Sequence, residues 1–181
     1  MACRAIGPTA PSIVALAVVP VVEARSLERG CGEPVGPRWL RLVVACAGLP
    51  AIAVLVVTGA VVTASGPHPG ADEQVERLGL TIVDTVYWHV RVAAAVGIGV
   101  LVLGAFLLRL RRQAPGVVLV WVALLTALVA QAILGEVQYR NALPWGLVLV
   151  HVFLAATIWT LSVALAYVLQ RPPAMLIAAE R

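Results

Sequence analysis

The sequence predicts an all-α integral membrane protein built as a single antiparallel four-helix bundle. Three observations carry this expectation. The chain is 61% hydrophobic with a mean hydropathy of +0.98, far above the roughly 45–50% apolar share of a soluble domain. Four stretches, residues 42–64, 86–108, 116–135 and 146–169, each approach the ~20 mostly apolar residues that a membrane-crossing helix needs. The connections 109–115 and 136–145 are short, which forces neighbouring helices side by side in opposite directions.

Each element has its own justification. Residues 1–40 read as a cytoplasmic leader and linker without stable structure. Within them, 12–22 (SIVALAVVPVV) is apolar but too short to span; Arg4 ahead of it gives a faint likeness to a signal sequence, and a good cleavage site is missing. Segment 24–38 (ARSLERGCGEPVGPR) is charged and rich in Gly and Pro, the composition of a linker. The bundle is expected over 41–170 and a short tail over 171–181. Cys3 and Cys31 fall in the leader and Cys46 inside the first span, so no disulfide is expected.

Orientation follows from arginine, which supplies every basic side chain other than histidine. Arg25, Arg29, Arg38 and Arg41 precede the first span, Arg109, Arg111 and Arg112 separate the second from the third, and Arg171 and Arg181 follow the fourth. The positive-inside rule makes these segments, and both termini, cytoplasmic. The other two connections hold Asp72, Glu73, Glu76, Asp84 and Glu136 against Arg77 and Arg140 alone, and so face outward. The net charge of +4 is explained by this topology and gives no support to nucleic-acid binding. The expected setting is the lipid bilayer of the cell (plasma) membrane.

Chemistry enters with His89 and His151, each inside a long apolar run. A polar ring in hydrocarbon costs several kcal/mol unless it is paired or ligated. His89 lies about five residues into the second span and His151 about seven into the fourth, which at ~1.5 Å per residue is roughly 7 and 10 Å from the outer ends. Both spans run from outside to inside, so in a bundle they can sit diagonally across the core. That placement suits a flat macrocycle clamped between two axial nitrogens, and haem iron takes histidine readily.

Rival readings remain beside it. Both rings could be packing residues hydrogen-bonded to carbonyls. Zinc would require a third or fourth ligand, for which only Asp84 or His68 comes into view. A proton relay through His89, Asp84 and Glu136 would use the same outer region. His68, on the stiff SGPHPG turn (Ser65 to Gly70) of the long 65–85 loop, reads as solvent-exposed sooner than as a ligand. Arg91 and Arg140 are candidate partners for haem propionates, or they simply reach for the membrane interface. Gln131 could hydrogen-bond a pocket group or join helices. Tyr139 and Trp145 fit an aromatic belt at least as well as a binding role. A transporter fits less well, since no broken helix appears.

Four strings also carry a resemblance. VVTASGPHPGAD (61–72), YWHVRVAAA (87–95), QAILGEVQYRNALPW (131–145) and VLVHVFLAA (148–156) together resemble the C-terminal half of haem A synthase, the membrane protein of cytochrome oxidase assembly that converts haem O to haem A. The resemblance spans residues 42–170. It implies haem b as cofactor with His89 and His151 as its iron ligands, haem O as substrate, and oxidation of a haem methyl to a formyl. It also implies that this chain is about half of the usual two-bundle enzyme, completed either by a second four-span half or by a homodimer.

The other half of the family carries a glutamate a few residues before its first histidine. Here the nearest carboxylate is Asp84, five residues before His89 and about 140° round an ideal helix. No catalytic residue is therefore assigned. A non-catalytic haem-binding subunit, or the partner half of a split enzyme, stands as the alternative. Ala64 replaces an expected glycine, and Ala71 separates Gly70 from Asp72.

Overall fold

The computed structural model describes residues 32–66 and 79–173, together with Val21, Ala24 and Gly30. His68, Cys3, Cys31, the acidic stretch Asp72 to Glu76, most of the leader and residues 174–181 lie outside the described residues. Four long helices dominate: α1 (Arg38–Ser65), α2 (Ile82–Arg109), α3 (Pro115–Arg140) and α4 (Trp145–Gln170). At 26 to 28 residues and ~1.5 Å per residue, each is long and apolar enough to cross a hydrocarbon layer about 30 Å thick.

The helices are longer than the apolar runs that announce them, and local chemistry explains the extra turns. At the start of α2, the Thr81 hydroxyl accepts from the Asp84 backbone N–H at 3.2 Å and donates to the Asp84 carboxylate at 2.6 Å. This cap satisfies an N-terminal donor that would otherwise lack a helical partner. At the end of α3, Glu136 and Arg140 pair one turn apart, carrying the helix through residues expected in the connection. Pro115 opens α3 at a position where a missing N–H costs nothing.

The first helix is not uniform. Residues Val44–Gly48 widen into a π-turn, with the Leu49 N–H reaching back to the Val44 carbonyl. Pro50 follows immediately and has no N–H for the regular ladder. A π-turn beside this defect lets the helix continue.

Packing joins α1 to α2, α2 to α3, α3 to α4 and α4 back to α1, while opposite members of this ring do not pack closely. Trp39 of α1 meets Phe106 of α2 edge-on, with centroids 5.4 Å apart. Trp121 of α3 donates its indole N–H to the Val100 carbonyl of α2 at 2.9 Å. Gly104 makes that approach feasible, because a Cβ there would overlap the indole ring.

Residues 32–37, expected as plain linker, run along the end of α4. The Gly32 N–H donates to the Pro172 carbonyl at 2.9 Å and the Val35 N–H to the Leu169 carbonyl at 3.0 Å. Arg41 donates to the Gly36 carbonyl at 2.7 Å and to Gln170 at 3.2 Å. Carbonyls at a helix C-terminus lack helical partners, and this strap supplies them. Val35 is buried in consequence.

Outward-facing positions are apolar on all four helices, for example Val57, Ile98, Leu119, Ile133, Leu149 and Phe153. In a soluble protein such a continuous surface would drive association.

Candidate functional site

The site is built at the end of the ring opposite the strap. His89 comes from the first third of α2 and His151 from the second turn of α4, the two helices that face each other across the ring. Both rings are half-buried.

Each imidazole lies against a glycine of the neighbouring helix. A Cβ at Gly59 of α1 would stand 3.1 Å from Cε1 of His89, and a Cβ at Gly135 of α3 would stand 3.2 Å from Cε1 of His151. Both distances are tighter than ordinary contact, so an added Cβ would require the ring to give by a few tenths of an ångström. The two halves of the ring thus repeat one device, a histidine on the even helix seated on a glycine of the odd helix.

The sequence carries the trace of this repeat. His89-Val90-Arg91-Val92-Ala93-Ala94 and His151-Val152-Phe153-Leu154-Ala155-Ala156 share a His-Val-x-(Val/Leu)-Ala-Ala pattern. Gly59 and Gly135 escaped the sequence reading because a lone glycine in a helix more often marks nothing. Aligning the two histidine segments, and then asking what precedes each by one helix, would have found them.

Polar surroundings differ between the halves. Thr58 Oγ1 lies 3.0 Å from Nδ1 of His89, and the same hydroxyl donates to the Leu55 carbonyl at 2.9 Å. Gln131 Nε2 donates to the backbone carbonyl of His151 at 3.0 Å, so this glutamine does join α3 to α4 beside the second histidine. Nδ1 of His151 and the side-chain oxygens of Gln131 and Gln138 are buried without a hydrogen-bond partner.

Other sequence candidates sit elsewhere. Arg91 is exposed and lies over the Tyr87 ring, 3.2 Å from its centroid; two residues from His89, it is about 200° round the helix. Arg140 is exposed and engaged with Glu136. Neither is brought to the histidines. Asp84 is exposed and held by the Thr81 hydroxyl. Tyr139 and Trp145 are exposed. An apolar groove of about 190 Å³ between α1 and α2 is lined by Thr58, Val61, Leu80, Asp84, Thr85 and Trp88. Among the described residues, no three His, Cys, Asp or Glu side chains converge as a metal-ion cluster.

The turn into α4 is strained. Ala142 and Leu143 both have φ of +58°, a left-handed conformation that costs a non-glycine residue about 1–2 kcal/mol. It is held by the Leu143 N–H on the Gln138 carbonyl at 2.8 Å and by the Asn141 side chain on the Val137 carbonyl at 2.7 Å. The turn fixes where α4 begins, and hence the height of His151 relative to Gln131 and Gly135.

Comparison with models of known protein families, with curated proteins and with solved structures finds no match. The functional reading therefore stands on the residues and their geometry.

Proposed function

We propose that this chain is a haem-binding membrane protein of the haem A synthase type, holding haem b between His89 and His151. The observation that carries the reading is the repeated seat: two histidines on opposite helices, each laid against a glycine that a Cβ would fill. Two nitrogens are too few for a bare metal ion but enough for an iron whose other four positions belong to a macrocycle. Bound haem would supply an iron that exchanges one electron. The chain's own residues would hold it: His89 and His151 as ligands, Gly59 and Gly135 as seats, and Gln131 fixing the α3–α4 spacing.

The helices are read as an antiparallel four-helix bundle in the plasma membrane, with lipid as partner and both termini cytoplasmic. Support comes from Trp39 on Phe106 at one end and Thr58 on His89 at the other, from the apolar outward faces, and from Arg109, Arg111 and Arg112 grouped in one connection. Reporter fusions should read as cytoplasmic at Arg112 and external near Glu73. An external reading at Arg112 would invert the orientation.

A second reading is favoured by Asp84. Its carboxylate is tied to Thr81 as a helix cap, which speaks against its standing in for the glutamate that the other half of the family carries. The chain then acts as a non-catalytic haem-holding subunit or as one half of a two-bundle enzyme, completed by a second four-span chain or a second copy. In cells that supply haem O and lack their own synthase, the chain alone should carry haem b and yield little or no haem A. Abundant haem A from this chain alone would contradict the half-enzyme reading. Pigment extraction from the purified chain tests the haem assignment itself: haem b is expected in the wild type, severely reduced in His89→Ala and in His151→Ala. Full haem content in both variants would overturn the ligand pair.

A further inference from the structure

We propose that the two histidines are unequal ligands: His89 is locked by Thr58, whereas His151 is the exchangeable one. The inference rests on the haem-binding reading above. A threonine hydroxyl has one proton, and that of Thr58 is given to the Leu55 carbonyl at 2.9 Å. With its proton on that carbonyl, the same oxygen accepts from Nδ1 of His89, 3.0 Å away. His89 therefore carries its proton on Nδ1 and presents the lone pair of Nε2, the nitrogen left for a metal. A partner on the remote nitrogen is what holds a ligating imidazole in one tautomer and one orientation.

The other half lacks this partner. Thr58 immediately precedes Gly59, and the residue immediately preceding Gly135 is Leu134. Leucine offers no acceptor, and Nδ1 of His151 is buried without a hydrogen-bond partner. Gln131 donates its amide to the backbone carbonyl of His151. Its own oxygen and that of Gln138 are likewise buried on α3 without a hydrogen-bond partner. The repeat thus has one fixed member and one free member, and a single pair of adjacent residues, Thr-Gly against Leu-Gly, sets the difference.

Moving the acceptor tests this. Carbon monoxide would be titrated into the reduced, haem-loaded full-length protein as wild type, Thr58→Val, Thr58→Ser and Leu134→Thr, with haem retention measured in parallel. Leu134→Thr, which gives His151 an acceptor, should weaken carbon monoxide binding about tenfold, and Thr58→Val should strengthen it and speed haem loss about tenfold. Thr58→Ser, which keeps the hydroxyl, should match the wild type in both readouts; it also separates loss of the hydrogen bond from a packing fault. Carbon monoxide affinities that are unchanged, or that move in the same direction in Thr58→Val and Leu134→Thr, would overturn the inequality while leaving the histidine pair standing. A wild-type protein that retains no haem would instead refute the underlying reading, and this inference with it.

Discussion

Where the strap meets the α2–α3 connection, Leu107, Val117, Leu165 and Leu169 are sealed almost completely, at 0 to 1% exposure, and Trp121 closes over Gly104. At the opposite end, no residue of 86–95, 128–140 or 145–157 is fully buried, yet this is where both histidines and three unpartnered buried polar atoms sit. One end is fastened by close packing, in which a change of a single methylene is felt. The other is organised by a few directional contacts. The contrast separates what holds the helices together from what the proposed site needs, and substitutions at the two ends should fail in different ways.

The largest expected effect is at the packed end. Leu107→Ala removes a fully buried side chain and should cost about 2–5 kcal/mol, read as a lower unfolding midpoint in detergent. Gly104→Val must displace the indole of Trp121 and break its bond to Val100, for about 1–3 kcal/mol or more. At the open end the readout should invert. Gly59→Ala and Gly135→Ala should leave the unfolding of the haem-free protein within about 1 kcal/mol while speeding haem loss about tenfold. Equal thermal losses at the two ends would break the comparison.

Smaller changes sharpen it. Trp121→Phe keeps most of the packing and loses the indole hydrogen bond, for about 1 kcal/mol. Ala142→Gly relieves a left-handed residue in the α3–α4 turn and should stabilise the chain by up to about 1 kcal/mol. That gain belongs with unchanged or slightly faster haem loss, since the turn sets the height of His151.

How much of this was legible in the sequence depends on the kind of signal. Four apolar runs gave the helices to within a few residues, because length and hydrophobicity are sufficient to mark them. Their ends were underestimated where polar pairs extend a helix, as at Thr81–Asp84 and Glu136–Arg140. The two histidines stood out because imidazole is rare in such runs. What faces them did not, since helices apolar on all sides carry no stripe to reveal which face points inward. Thr58, Gly59 and Gly135 therefore look unremarkable until the helices are set side by side. The strap 32–37 was hidden for another reason: its binding is made by backbone groups and one valine, beneath a composition that reads as linker.

The most direct test of the account is electron paramagnetic resonance of the oxidised, haem-loaded chain. It should show the low-spin ferric signal of two imidazole ligands, lost or converted to high spin in both His89→Ala and His151→Ala and preserved in His68→Ala. A low-spin signal that survives both helical substitutions would contradict the central claim that His89 and His151 together hold the iron.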